Sequence, residues 1–287
     1  MALFSLLLAL LLDRIKVVKP QWSDRPIHAW VAKQWLADHP SSQFRLAAAV
    51  LAPSVVVYLL LSLVGSALWG VIGLLIWCAA AVALLNHLPI RNHFSGYLKA
   101  ARRGDSQACY HYAQQLDPHT DINSIDSAEL GRYIGQTVAW LNYRYFAAVV
   151  IYFALFGPVG GLLYSSLRYH ADRLQLSHQC PSWLSDFLAI ADWAPSRLLA
   201  LGYMLSGHFT SAMPVWQRYA VDWQTPARTV IGEVALAAEH LPNTPNDSEE
   251  KPPICVESTL ALLKLARRNF ILLLVFISLL TIFGVIA

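Results

Sequence analysis

An all-α, multi-pass helical membrane protein with cytoplasmic helical segments is the fold class this sequence predicts, on three observations. Two neighbouring runs, Leu46 to Val64 and Ala67 to Leu85, contain no charged residue. Each is close to the roughly 20 residues a helix needs to cross a hydrocarbon core about 30 Å thick. Two further uncharged runs follow, Tyr145 to Leu167 and Asn269 to Ala287. Finally, 14% of the 287 residues are charged, against about 25% in an ordinary soluble domain. In lipid every backbone N–H and C=O must find its partner within the segment, which a helix provides. The sequence offers no series of roughly ten-residue alternating strands from which to build a barrel.

Residues 1–45 form an N-terminal apolar segment and an interfacial helix. Met1 to Leu12 is almost wholly apolar and ends at Asp13, Arg14 and Lys16. A secretory signal has its basic residues first and a small-residue cleavage site last. Here the order is reversed, so the segment reads as retained and, being short, as half-inserted or interfacial. Ile27, Trp30, Val31, Gln34 and Trp35 then recur at helical spacing. That stripe suits a helix lying on the membrane surface, and equally one packed on another helix. Residues 46–85 are a transmembrane hairpin, because only Gly65 and Ser66 part its two runs.

Residues 86–144 form a cytoplasmic helical segment. Tyr97 to Leu116 reads as a helix broken near Gly104-Asp105. Asp126 and Glu129 resemble a capping box ahead of the stripe Leu130, Ile134, Val138 and Leu141. Residues 145–206 are membrane-embedded. Gly157-Pro158-Val159-Gly160-Gly161 interrupts the third run, so that run is either a kinked span or a re-entrant hairpin. Residues 207–268 hold cytoplasmic helices, one starting at Pro226, and a proline-rich linker from Pro242 to Pro253. Residues 269–287 are the last span.

Charge bias orients these runs. Arg45, Arg91, Lys99, Arg102 and Arg103 flank the hairpin, and Lys264, Arg267 and Arg268 precede the last run. Lys and Arg near membrane ends favour the cytoplasm. The chain must therefore leave and return between residues 145 and 268. Either the Gly-Pro-Gly-Gly run is re-entrant or Phe187 to Ser206 is a fifth crossing, and the second is favoured.

Composition excludes several functions. A net charge of +3, dispersed along the chain, is no nucleic-acid footprint. Cys78, Cys109, Cys180 and Cys255 form no C-x-x-C and no disulfide framework. There is no Gly-Lys dipeptide, hence no P-loop, and no G-x-S-x-G elbow. His87 and His93, six apart, and His111 and His119, eight apart, lack the i, i+4 spacing of a helical zinc pair. Interfacial or hydrogen-bonded histidines are therefore expected, with no metal and no cofactor.

The strongest candidate for chemistry is Asp192-Trp193-Ala194-Pro195-Ser196-Arg197-Leu198. An acid and an arginine in an apolar stretch need partners, and a buried guanidinium offers a planar fork for carboxylate or phosphate. The alternatives are a ligand clamp at the membrane boundary and an internal ion pair or helix-end cap. Arg168, with Asp172 and Arg173, is placed to join it, and Asn142 with Arg144 forms a third polar group. Asp13 is an ionisable group at a membrane boundary, read either as a helix-end residue or as a functional acid.

Taken together, Leu12-Asp13, the apolar hairpin, Tyr97-Leu98-Lys99-Ala100-Ala101 with Gly104-Asp105, Trp140-Leu141-Asn142-Tyr143-Arg144-Tyr145, the Gly-Pro run, Asp192 to Leu198 and Leu280-Thr281-Ile282-Phe283-Gly284 resemble the AmpE family of inner-membrane proteins. The resemblance runs over essentially the whole chain. It implies a multi-pass membrane regulator in β-lactamase induction and in the response to cell-wall recycling products. Implied partners are the lipid bilayer, a small anionic ligand such as a muropeptide near Arg197, and further copies of the chain. AmpE is in turn similar to the CobD/CbiB enzymes of cobalamin biosynthesis, which form an amide using ATP. Where those enzymes carry Glu-Asn, Asn-Thr-Leu-Asp and paired aspartates, this chain has Leu141-Asn142, about Arg168-Tyr169-His170-Ala171, and Ala189 with apolar neighbours. Holding Mg²⁺ against phosphates needs acids, so these departures weigh against that reaction. A ligase with relocated acids would depend on Asp105 or Asp192. A small transporter, suggested by the broken third run, is the remaining alternative.

Overall fold

The computed structural model describes residues 1–15, 22–36, 42–64, 70–177, 179–239 and 256–284. Among these the regular elements are helices, with no strand: α1 (Ala2–Arg14), α2 (Arg25–Leu36), α3 (Gln43–Val64), α4 (Val71–Leu85), α5 (Leu88–Arg102), α6 (Ser106–Leu116), α7 (Ser127–Asn142), α8 (Ala148–Leu176), α9 (Ser182–Ser206), α10 (Phe209–Ala220), α11 (Ala227–Ala238) and α12 (Val256–Ile282). A short 3₁₀ turn, Ile122–Ser124, precedes α7, and a π-helical turn, Tyr143–Ala147, joins α7 to α8. The Gly65-Ser66 turn, the 242–253 linker and Cys255 lie outside the described residues. The chain divides into two units, Met1–His87 with Ala148–Ala191 and Phe276–Ala287, and Leu88–Ala147 with Asp192–Val275.

Among the described residues four helices are long and apolar enough to cross a membrane: Gln43–Val64, Val71–Arg102, Glu129–Leu176 and Glu257–Ile282. Each falls on one of the four uncharged runs read from the sequence. α9 is long enough but is not among them.

In the first unit α3 and α4 each pack on α8. α3 buries Leu46, Ala49, Val50, Pro53 and Ser54, one stripe at helical spacing, and leaves Leu51, Val55, Val56, Leu59, Leu60 and Leu63 exposed. Apolar residues outside the stripe are what a lipid-facing helix carries. α1 packs on α4 and α8 through Ala2, Ser5, Leu6, Ala9 and Asp13. Its 13 residues rise about 20 Å, short of a crossing. α2 packs on α3 and α8. His28, Val31 and Ala32 turn inward while Ile27, Trp30 and Trp35 stay exposed. The stripe read from the sequence is thus split, because the buried face of α2 is centred on His28. In α8 the third run is a kinked helix: Gly157 has φ 66° and ψ −161°, and Pro158 follows. A left-handed φ at that point favours glycine.

The second unit has its core where α5, α6 and α7 meet, on Tyr97, Cys109, Ala113, Leu116, Ile122, Leu130 and Ile134. Gly104, at φ 71°, makes the expected break between α5 and α6. Asp126 does cap α7, but its carboxylate accepts from the adjacent Ser127 N–H at 2.7 Å rather than from the third residue of a capping box. α11 packs on α7 and α10, with Pro226 as its N-cap residue rather than inside its first turn. α12 runs unbroken from an amphipathic start into the last span. Thr259 donates to Gly131 O at 2.7 Å and Asn269 to Leu199 O at 2.9 Å, fixing α12 to α7 and α9 within this unit.

Candidate functional site

The first unit buries an ionic cluster built from three stretches. Asp24 sits just ahead of α2, and its N–H donates to Ala83 O at 3.1 Å, holding it to the end of α4. His28 lies one turn further along α2, on the same face. His87 follows α4. Arg168 and His170 come from α8, with Ser165 one turn before. Asp24, His28, His87, Ser165, Arg168 and His170 are each at most 3% exposed. Arg168 Nη2 lies 3.6 Å from Asp24 Oδ2 and donates to Ser165 Oγ at 3.2 Å. The Ser165 hydroxyl donates to the same carboxylate oxygen. His28 Nε2 is 3.8 Å from that oxygen, and its ring packs on Tyr169 with centroids 5.5 Å apart.

Electrostatics follow from burial and this crowding. Burial pushes the Asp24 carboxyl up, but Arg168, His87, Ser165 and His28 outweigh it and leave it below the usual carboxylate range. Burial above all takes His28 down to about 4; the Arg168 charge adds to this and Asp24 opposes it. His28 is therefore neutral at pH 7. A neutral His28 thus lies beside the Asp24–Arg168 ion pair.

The second unit contains the Asp192 to Leu198 stretch. Tyr143, in the π-helical turn, is fully buried and donates to Asp192, 2.7 Å from its carboxylate and 3.1 Å from its carbonyl. Single π turns re-aim a side chain without ending the helix. Arg197 donates from Nη2 to Asp222 O at 2.7 Å and Thr225 O at 3.0 Å. Nε reaches Tyr219 O at 3.4 Å, and Nη1 reaches Ser196 Oγ at 3.0 Å and Trp193 O at 3.4 Å. A guanidinium has five N–H groups, and these five acceptors engage them. Trp193 and Trp223 stack with centroids 3.9 Å apart beside it. Of the two alternatives for Arg197, this geometry is the helix-end cap. It fixes the end of α10 and the turn after it, and has no fork to spare for an anion.

The other predicted residues are dispersed. Asp105 is exposed and caps α6, accepting from Ala108 N–H at 3.0 Å. Asn142 is the half-buried last residue of α7. Asp13 is buried on the packed side of α1. Arg168 and Arg197 belong to different units. Among the described residues no group of three or more His, Cys, Asp or Glu side chains is placed to hold a metal ion.

Two constellations escaped the sequence reading. One is Asp24 with His28, His87 and His170. The expected hydrogen-bonded histidines are not what His28 and His170 are: neither ring nitrogen of either has a hydrogen-bond partner. The i, i+4 spacing of Asp24 and His28 is the signal in the sequence that could have found it. The other is Asp117, which accepts from Arg228, Tyr133 and, at 3.0 Å, Thr120 in the second unit. Burial raises the Asp117 carboxyl, and these donors more than offset it, so it lies below its ordinary value. Its members are spread over 111 positions, and nothing local in the sequence joins them.

A family model described as "Regulatory signalling modulator protein AmpE" matches residues 1–287. The chain is 29% identical over 293 residues to "Protein AmpE" of Shigella flexneri, covering 99% of each. No solved structure matches.

Proposed function

From the chain's membership of the AmpE family of regulatory signalling modulators, we propose that it acts at the bacterial inner membrane, in β-lactamase induction and the response to cell-wall recycling products. The observation that carries this reading is the family match over the full length. The four apolar helices support the membrane location. Its signal is a small anion of the muropeptide kind. The test is deletion of the gene in its host followed by exposure to a β-lactam. Deletion should alter β-lactamase induction and the wild-type gene should restore it; unchanged induction overturns the reading. On purified protein in detergent, muropeptides should raise the unfolding temperature.

One observation favours a second reading, a small muropeptide transporter. α8 is interrupted at Gly157 inside an apolar run, and discontinuous helices often line substrate paths. Movement of labelled muropeptide into vesicles, stopped by a substitution at Gly157, would support it.

A further inference from the structure

The first unit buries more ionisable chemistry than its packing requires. Both ring nitrogens of His28 and of His170 lack hydrogen-bond partners, as do Ser166 Oγ and Asp24 Oδ1. The four residues are at most 1% exposed. A buried polar atom without a partner is costly, and native proteins keep few of them. Six such atoms on two helix segments, beside a buried ion pair, need a reason.

Asp24 supplies one. Its Oδ2 stands 3.6 Å from Arg168 and 3.8 Å from His28, too far from either for a close bond. The carboxylate is thus shared between a permanent cation and a group that becomes one. We infer that this cluster is a proton-binding site, in which a proton taken by His28 draws Asp24 away from Arg168 and towards the imidazolium. With neutral imidazoles the cluster sums to zero charge. With one proton it holds two cations and one carboxylate, and Asp24 chooses between α8 and its own helix segment. Because Asp24 is also held to Ala83, that choice alters how α2 is seated on α4 and α8.

Among the described residues the neighbouring charges are few. α8 contributes Arg168, His170 and, one turn on, Arg173; the segment after α4 contributes His87; α2 adds Arg25, which acts on His87. α4 carries Cys78, and α1, packed on α4 and α8, carries Asp13 and Arg14. α3, packed on α2, has only exposed Arg45 and Tyr58 as titratable groups.

The test uses the full chain, labelled with ¹⁵N-histidine, in lipid nanodiscs. Imidazole shifts are followed against pH, with His28 assigned through His28→Asn. His28 should stay neutral to a pH well below the ordinary imidazole value of 6.5, and its protonation should coincide with faster hydrogen exchange in α2. Arg168→Gln, which leaves Asp24 to His28, should raise the proton affinity of His28 at least tenfold. Arg168→Lys should restore most of the wild-type value, and Asp24→Asn should lower it. Should Arg168→Gln fail to fold, Ser165→Ala loosens the same carboxylate and should move His28 in the same direction. A His28 that titrates at the ordinary imidazole value of 6.5 overturns the inference. So does a midpoint unmoved by the variants that fold, or an α2 exchange rate indifferent to His28 protonation.

Discussion

His28 is neutral because burial withholds the water an imidazolium needs, and that has a consequence for stability. Its folded value of about 4 lies below the ordinary 6.5, so the unfolded chain binds the proton more readily. The contribution is complete above pH 6.5 and is lost as pH falls towards about 4. Thermal unfolding in detergent should therefore weaken over that window, by up to roughly 3 kcal/mol. His28→Asn should flatten the slope. Arg197 carries a different expectation. Its five N–H groups reach five acceptors of its own unit, and lysine has three donors on a point charge. Arg197→Lys should cost about 2 kcal/mol or more through unmade bonds to a charged group, read as a lower unfolding temperature. Arg197 and Asp192 were visible in the sequence because they are ionic residues in an apolar stretch. What they bind was not, since the acceptors of Arg197 are mostly backbone carbonyls, several of them in a turn some 25 residues away, and Asp192 accepts from Tyr143, 49 residues before it. The Asp24 cluster was hidden for a related reason. Each member sits in a polar or interfacial stretch where a lone charge is ordinary, and only the packing of α2 on α8 brings them together.

At the scale of elements, glycine decides two close contacts that periodicity does not show. At Gly202 in α9 an added Cβ would stand 2.1 Å from Asn269 Oδ1 of α12. Gly202→Ala must push Asn269 off Leu199 O, so about 1–3 kcal/mol of destabilisation is expected. If the clash is the cause, adding Asn269→Ala should recover part of the loss, a coupling of at least about 0.5 kcal/mol in a double-mutant cycle. At Gly157 the backbone itself is the constraint. With φ 66° and ψ −161°, and Trp77 2.9 Å from an added Cβ, Gly157→Ala should cost about 1–3 kcal/mol in the first unit. Uncharged runs of membrane length made the four long apolar helices legible, and Gly104-Asp105 and Asp126 made the boundaries of α6 and α7 legible. The π-helical turn at Tyr143–Ala147 was not. One extra residue in a helical turn leaves the apolar pattern on both sides intact, and only the inward aim of Tyr143 at Asp192 reveals it.

For the whole molecule, the open question is where α9 runs, and charge arithmetic bears on it. If α3 starts inside, α4 returns inside and kinked α8 crosses once, then α9 begins outside. Lys264, Arg267 and Arg268 favour the inside for the start of the last span, so α9 is expected to bring the chain back. Its 25 residues rise about 37 Å, enough to cross. Asp192 and Arg197, which keep it from being purely apolar, are hydrogen-bonded as an intramembrane charge must be. Cys180, half-buried between α8 and α9, reports the outcome directly. In a variant with the other three cysteines replaced, an impermeant maleimide should reach Cys180 from the non-cytoplasmic side of an intact membrane. Ser124→Cys in the same background, ahead of α7, should react only after that membrane is opened. Burial, together with Asp172, holds the Cys180 thiol above its ordinary range, so the reaction belongs at mildly alkaline pH, where enough thiolate forms. Labelling of Cys180 only from the cytoplasmic side would mean that the Gly157 kink returns the chain to the face it came from. Arg197 would then cap a helix that never enters the bilayer.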